Sequence, residues 1–348
     1  MQEFAFELAL CAHLEAPDRI VGRQLGAAVH GRRVADVVCV EPSVEFDRRA
    51  AITPETIPPL AVESAVGPGT ARPVADAFDC HPERARAVAE RAVELGFFER
   101  ERSGSSTAVR QTVRYPDWFD SLVGIENKPD LDRPGDLRDQ LRIDVSLGLF
   151  DEVVLATETY VTGAHLNRLP AEVGVWRFDP ETGEREVVRE PDPLDTDGPG
   201  IELLDREPGR ANVRPATVAE KRRQRRRIAE RAYGKGWRTY DLPSCERCVP
   251  EAAEPPDHSE AGLPWCDWAD ELVRPVTDCG PDCPGYERTN AKAEADADRA
   301  ETDADRAETD ADERGDDETA AVRARRSAWE PDPAGVARRQ AGLDRFRR

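Results

Sequence analysis

Glu126 and Lys128 form the pair of residues in this sequence that most directly suggests chemistry. They stand two apart in the segment GIENKP, whose composition predicts a β-strand. Side chains two apart on a strand emerge on the same face, so a carboxylate and an ammonium are expected near one another. Lys128 is one of only four lysines among 49 basic residues. An ammonium can be repositioned and deprotonated where a guanidinium cannot, so its presence here suggests a role in a reaction.

Asp36 is the second candidate acid, in the Val-rich run RVADVVCV, which has the composition of an interior strand. Metal-dependent hydrolysis of a phosphodiester needs a divalent ion, acidic oxygen ligands and positive charge near the attacking water. One or two carboxylates suffice for Mg²⁺ or Mn²⁺, which keeps several waters. We therefore expect Asp36 and Glu126 to hold the ion if their strands are neighbours. Asp117 and Asp120 are alternatives for the first acid, but RYPDWFD has the pattern of a turn.

Five cysteines form a second group with metal-ligand spacing: Cys245, Cys248, Cys266, Cys279 and Cys283. A Cys-x2-Cys turn directs both sulfurs to one point, and a second pair completes a tetrahedral site. We predict Zn²⁺ here. The first and last pairs are the preferred ligands, and His258 lies between them. Cys39 and Cys80 are predicted to be packing residues.

A basic run precedes the cysteines: Lys221, Arg222, Arg223, Arg225, Arg226 and Arg227. On a helix these six charges surround much of the circumference and could clamp a phosphate backbone. We therefore predict a nucleic-acid-binding surface, with DNA favoured over RNA. The alternatives are a solvated helix or an internal partner for the acidic tail.

The overall charge of −21 would ordinarily argue against a polyanionic partner. An excess of Asp and Glu with very few lysines is, however, typical of proteins that work in molar salt, where acidity serves solubility. At about 1 M salt the Debye length is about 3 Å, so only close positive groups would matter. The acidic N-terminus and the absence of a long apolar run predict a cytoplasmic protein with no membrane partner.

Helical and strand patterns alternate along the chain and predict an α/β fold, a mixed sheet with helices on its faces. Three helices followed by a β-wing in the middle segment are the pattern of a winged helix. The predicted organisation is an α/β core at 1–42 and 121–190, an inserted winged-helix-like segment at 43–120, a linker at 191–215, a basic helix with a Cys-rich segment at 216–286, and a disordered acidic tail at 287–348 with a seven-residue repeat.

The core resembles the PD-(D/E)xK, or restriction-endonuclease-like, nuclease superfamily over residues 1–40 and 121–190. RVADVVCV, GIENK, DLRDQLRIDV and VVLATE followed by HLNRLPAEVGVWRFD match its order of elements. The resemblance implies that Asp36 and Glu126 bind the metal and that Lys128 activates water. It places Gln140 of the following helix near the site, and Glu7 as a possible extra ligand.

The resemblance also has departures. The gap between the two acids is long, which requires 43–120 to be an insertion between neighbouring strands. Asp144 stands where many members have Tyr. RecB-like members carry a C-terminal cysteine cluster with one more cysteine near the N-terminus, a place that Cys11 could take. The resemblance therefore implies an iron–sulfur cluster as the alternative to Zn²⁺ at the five cysteines. The rival functions are a non-catalytic nucleic-acid-binding or regulatory protein that keeps the fold, and a scaffold whose Cys-rich segment and tail recruit partners.

Overall fold

The computed structural model describes residues 2–16, 18–50, 52, 57–103, 106–112, 115–207, 209–240, 245–248, 263–275 and 277–288. His258 and the acidic repeats of the predicted tail lie outside the described residues. The predictions made for them are therefore not addressed by the structure.

The described helices and strands follow one another along the chain. The helices are α1 (Glu3–Leu14), α2 (Phe46–Ala50), α3 (Pro59–Val62), α4 (Val74–Ala77), α5 (Pro82–Glu94), α6 (Leu137–Leu147), α7 (Gly163–Leu166) and α8 (Val218–Lys235). The strands are β1 (Ile20–Gly26), β2 (Val34–Pro42), β3 (Arg72–Pro73), β4 (Phe98–Ser103), β5 (Ser106–Gln111), β6 (Phe119–Asn127), β7 (Glu152–Thr157), β8 (Gly174–Phe178), β9 (Arg185–Arg189), β10 (Gly200–Glu207), β11 (Arg210–Ala216), β12 (Trp265–Cys266) and β13 (Glu271–Leu272). None of the described helices is both long and apolar enough to cross a bilayer.

A six-stranded mixed sheet forms the centre of the fold, in the order β1-β2-β6-β7-β8-β9. β2 runs antiparallel to both β1 and β6, β7 and β8 are parallel to β6, and β9 closes the edge as an antiparallel hairpin. The predicted α/β class with a mixed sheet is therefore confirmed. β2 and β6 are neighbours although the chain between them contains all of α2 to β5.

The sheet has a hydrophobic core on each face. α1 covers one face, where its Phe6 and Leu8 are fully buried with Val37 of β2 and Ile125 of β6. α6 and α8 share the core of the other face with Val38, Leu122 and Phe150 among others. Strands that are covered on both faces are shielded from water on both sides. This is why the Val-rich runs of β2 and β7 carry so few polar residues.

The first strand, β1, was not predicted, because IVGRQLG has two glycines and no clear alternation. Its glycine content has a packing reason. A Cβ on Gly22 would lie 2.8 Å from the backbone Cα of Ala232, so only glycine lets α8 approach β1 this closely. In this part of the chain the sequence therefore predicted the strand of RVADVVCV but not β1.

The segment between β2 and β6 contains four described helices, α2 to α5, and a small sheet of order β3-β5-β4. It joins the main core through a buried hub at Glu230 of α8. That carboxylate accepts hydrogen bonds from Arg49 at 2.5 Å and from Tyr115 Oη and Trp118 Nε1, each at 2.7 Å. Side-chain contacts across this hub hold the inserted segment against α8.

The predicted linker at 191–215 is wrong in its second half, where β10 and β11 form a β-hairpin. Its Glu202 is buried, and the carboxylate accepts backbone N–H bonds from Val29, His30 and Gly31 at 2.6–3.0 Å. Three backbone donors satisfy a buried carboxylate well. The hairpin thereby fixes the turn between β1 and β2, two residues before Arg33.

Candidate active site

Asp36 and Glu126 lie on neighbouring strands, as predicted. The register of β2 and β6 pairs Val37 with Ile125 and Val38 with Gly124. Continuing it by one residue places Asp36 opposite Glu126, and side chains opposite one another in an antiparallel pair share a face. Asp120 lies six residues before Glu126 on β6, about 20 Å away at about 3.3 Å per residue, so it belongs to the other end of the sheet.

Asp117 lies at that other end too. Its backbone carbonyl accepts from Ser43 Oγ, and its N–H donates to Glu45, so it is part of the turn that enters β6. The two alternatives for the first acid are therefore excluded, and Asp36 is the acid that faces Glu126.

Asp36 is half-buried and held by two donors from both flanking strands. One oxygen accepts the Asn127 backbone N–H at 3.1 Å, and the other accepts Gln24 Nε2 at 3.3 Å. Gln24 has a φ of +52°, a left-handed conformation that costs a side-chain-bearing residue about 1–2 kcal/mol. The same amide donates to Glu7 at 2.8 Å, so this strained residue links the carboxylates of α1 and β2.

Glu126 is only 5 % exposed, and it pairs with the same arginine as Asp144 of α6. The Arg33 guanidinium donates to Glu126 Oε2 at 2.6 Å and to Asp144 Oδ2 at 2.7 Å. Its Nε makes a third bond, to Asp144 Oδ1 at 3.0 Å. Sequence reasoning missed Arg33, and it took Asp144 only as a departure from a motif. Neither has a local signal, because they are 111 residues apart in the chain.

Burial and mutual repulsion destabilise the charged forms of the acids in this cluster. Burial, together with the negative charge of Asp36, raises the pKa of Glu126 to about 8, although Arg33 acts in the opposite direction. Burial also raises the pKa of Asp36 and of Asp144 above their ordinary values. Carboxylates that are desolvated and repel one another tend either to take up a proton or to bind a further cation.

Glu7 extends the cluster from α1. Burial raises its pKa, and it accepts bonds from Arg23 Nε at 2.5 Å and from Asn127 Nδ2 at 2.8 Å. The Oδ1 atom of Asn127 is buried and has no hydrogen-bond partner among the described residues. Carboxylate and amide oxygens are the ligands that hard divalent cations prefer, so the donor set of this end of the sheet suits Mg²⁺ or Mn²⁺.

Lys128 follows directly after β6, at the open edge of the cluster. Its backbone N–H donates to Ala156 O at 2.9 Å, which continues the pairing with β7. Its ammonium lies 3.4 Å from Glu3 Oε2, and the charge of Glu3 acts on Asp36. The side chain of Lys128 is 24 % exposed, so it faces the solvent at the mouth of the cluster.

Gln140 is half-buried on α6, one helical turn before Asp144 and on the same face. Within the described part of the chain its side chain makes no hydrogen bond to the acids. The predicted supporting role of Gln140 therefore stays a prediction, whereas Asp144 of the same helix is in direct contact with the cluster.

The acids are arranged around a guanidinium rather than around an ion. In the described ranges, no three His, Cys, Asp or Glu side chains are placed so that they could hold a metal as they stand. Arg33 occupies the space between Glu126 and Asp144, and a divalent ion would have to share or replace its contacts. The unpartnered Asn127 oxygen and the raised pKa values still fit a cation-binding site.

The basic run on α8 is mainly structural, which corrects the prediction of a phosphate clamp. The charged ends of four of its six members bind within the protein: Lys221 on Asp195 O, Arg225 on Leu149 O and Asp151, Arg226 on Ser64 O, and Arg227 on Asp79. Lys221 is 1 % exposed and Arg225 is 9 % exposed. Arg222 is exposed and lies 3.4 Å from Asp197, and Arg223 is half-buried. For these two, binding to nucleic acid stays a prediction.

The five C-terminal cysteines line one pocket of about 130 Å³. Cys245, Cys248 and Cys266 are buried together with Val273, and Cys279 packs against them. All eight cysteines of the chain are free thiols. Cys11 lies apart, in the core of α1, where burial and the nearby charge of Glu7 raise its pKa far above the ordinary value.

Comparison with known proteins finds a family whose description gives no activity. The model of a family of unknown function, DUF5787, matches residues 20–288. No curated protein and no solved structure matches the chain.

Proposed function

We propose that this chain, which belongs to DUF5787, a family of unknown function, is a metal-dependent nuclease that hydrolyses phosphodiester bonds of DNA. The observation that carries the proposal is the pairing of β2 with β6, which sets Asp36 opposite Glu126 on one face. Lys128 stands at the open edge two residues further on. Two acids and an ammonium at one end of this strand pair are the groups that such a hydrolysis needs.

The arrangement of the elements supports a restriction-endonuclease-like core. α1, β1, β2, β6, α6 and β7 follow in the order helix, strands bearing the Asp and the E-x-K, helix and buried strand. The inserted segment leaves from the end of β2 and returns at the start of β6, so it does not disturb their pairing. Its helices α3 to α5 and its small sheet support the winged-helix interpretation.

Each residue of the site has a chemical task in this proposal. Asp36 and Glu126 would hold a Mg²⁺ or Mn²⁺ ion, with Glu7 and the free Asn127 oxygen close by. A bound ion of this kind lowers the pKa of its water and offsets the charge of the phosphate. The Lys128 ammonium orients the attacking water at the mouth of the site. Water oxygen then bonds to phosphorus as the bond to the leaving oxygen breaks, and that oxygen takes up a proton.

A cleavage assay tests this proposal. Full-length protein is incubated with single-stranded DNA, duplex DNA and RNA, with Mg²⁺ or Mn²⁺, in molar KCl. We expect metal-dependent cleavage that falls about 10²–10⁴-fold in Lys128→Met, the range for loss of a group that assists proton transfer. Asp120→Asn, on the same strand but at its other end, is the matched control and should cleave like the unmodified protein. Equal cleavage by all three proteins, or none by any, would reject the nuclease.

A non-catalytic nucleic-acid-binding protein is the second candidate, and Arg33 favours it. An arginine that neutralises both Glu126 and Asp144 gives the cluster a stable charge balance without metal. Such a protein would bind DNA with equal affinity when Glu126 is changed to Gln. Binding that survives this substitution, together with no cleavage in any metal, would favour this second function.

A further inference from the structure

The pocket of thiols is separate from the candidate active site and has its own chemistry. It lies in the C-terminal segment formed by β12, β13 and the turns around them, where Cys245 also makes a β-bridge with Arg288. The Cys248 N–H donates to Cys245 O at 3.1 Å, so the Cys-x2-Cys sequence forms a tight turn. Such a turn presents both sulfurs on one side.

The segment has too little apolar material to hold this pocket together. Among the described residues, the small core around the cysteines contains Val273, with Tyr286 packed against it, and Trp268 at the pocket is half exposed. Burying one Val contributes about 1.5–3 kcal/mol, whereas ordering each backbone residue costs about 1–2 kcal/mol. Leu263 and Leu272 dock the segment on the core of α1 but do not reach the thiols. The pocket itself therefore needs another source of stability.

The surroundings of the thiols are those of a cation site rather than of a reactive cysteine. The charged residues that line the pocket are Glu271 and Asp278, and none of its described lining residues is Lys, Arg or His. Reactive thiolates are commonly stabilised by a cation at the sulfur. Here Arg247 acts on Cys245 from outside the pocket lining, and its guanidinium is paired with Glu287. Several thiols beside two acids instead suit a dication. Such an ion would balance the negative charge of the acids and of the thiolates that bind it.

From these contacts we infer that Cys245, Cys248, Cys266 and Cys279 bind one structural Zn²⁺ ion. The first three are each 5–6 % exposed and Cys279 packs on them, whereas Cys283 lines the pocket outside this cluster. This ligand set replaces the pairing of Cys279 with Cys283 that spacing alone favours. Neutral thiols have no reason to approach metal-bonding distance, and as they stand none of the described groups of three does so. Cys279 is half-buried, and zinc has no redox chemistry that such solvent access could disturb.

The zinc would stabilise the helix that carries part of the candidate active site. Leu263 and Leu272 share the buried cluster of Leu8 and Leu14 of α1. Arg274 lies over the Phe4 ring, with its guanidinium carbon 5.4 Å from the centroid. Glu3 and Glu7 project from the same helix. The zinc-bound C-terminal segment would therefore help to hold α1, and with it these two acids, in place.

Metal content of the purified full-length protein tests the inference. We expect about one zinc per chain after gel filtration, lost in Cys248→Ser and retained in Cys283→Ser. Cys80→Ser, which changes a half-buried cysteine elsewhere, is the matched control and should retain zinc. Glu126→Gln should also retain it, which separates this site from the candidate active site.

A second measurement covers the case in which Cys248→Ser does not fold. Thiol modification of the unmodified protein should release its zinc to a colorimetric chelator, and Co²⁺ substitution should give thiolate charge-transfer absorption. Iron with visible absorption in place of zinc, no bound metal, or loss of zinc in Cys283→Ser but not in Cys279→Ser would each overturn the assignment.

Discussion

The Arg33 guanidinium lies 2.6 Å from Glu126 and 2.7 Å from Asp144, and all three side chains are less than a tenth exposed. Two buried carboxylates with raised pKa values need positive charge, and in this structure an arginine supplies it. If a divalent ion also binds here, the arginine and the ion act on the same oxygens. Substitution of Arg33 alone therefore tests whether a divalent ion acts on the oxygens that this arginine binds.

Arg33→Met should destabilise the metal-free protein by about 3–5 kcal/mol, because it leaves buried carboxylates without their partner. Added Mn²⁺ should restore part of this loss by supplying the missing charge. Urea unfolding with and without Mn²⁺ measures both effects. Arg49→Met removes a fully buried arginine elsewhere, which pairs with Glu230, and the stability of this variant should not respond to Mn²⁺. Equal responses in the two variants would contradict an ion at Glu126.

Residue types and spacing predicted one half of the site and not the other. Asp36, Glu126 and Lys128 were found because strand composition and the E-x-K spacing are local signals. Arg33 and Asn127 were not, because an ion pair or an orphaned amide oxygen depends on which distant segments meet. The basic run was misinterpreted for the same reason, since its partners Leu149, Asp151 and Ser64 lie far away in the chain.

At the scale of elements, strongly patterned segments were predicted and weakly patterned ones were not. β2 and β7 are nearly continuous apolar runs and α5 has apolar residues at helical spacing, so their positions followed from the sequence. Residues 191–215 are rich in Pro, Asp and Gly, which made β10 and most of β11 resemble a linker, and β11 is exposed along most of its length. The dipeptide Pro208-Gly209 between two runs of similar length was the available signal of a hairpin turn.

Gly22→Ala tests how closely α8 approaches β1. The added methyl would lie 2.8 Å from the Ala232 backbone, so the helix must shift, at a cost of about 1–3 kcal/mol. Gly26→Ala, on the same strand, has open space around its Cβ position and should cost much less. Thermal unfolding of the two variants compares them, and equal stability would show that α8 does not rest on β1 in this way.

The whole molecule carries a net charge of −21, so its folded state repels itself at low ionic strength. Raising KCl from about 0.1 M to about 1 M shortens the Debye length from about 10 to about 3 Å. We expect the melting temperature to rise by about 4 °C or more, the shift for about 1–2 kcal/mol in a domain of this size. Calorimetry measures it.

The same salt titration near pH 5, close to the pI of about 4.8, is the control. There the charge is largely neutralised, and the salt effect should be much smaller. A rise of the same size at both pH values would mean that salt acts through the hydrophobic effect rather than through screening.

Binding of Mn²⁺ to the zinc-loaded full-length protein tests the central claim most directly, because it does not depend on the correct substrate. Titration followed by electron paramagnetic resonance should reveal one Mn²⁺ site, weakened by about tenfold or more in Asp36→Asn and in Glu126→Gln. Asp120→Asn, at the other end of β6, should bind Mn²⁺ like the unmodified protein. Mn²⁺ affinity that is unchanged by Asp36→Asn, or lost equally in Asp120→Asn, would contradict an ion held between β2 and β6.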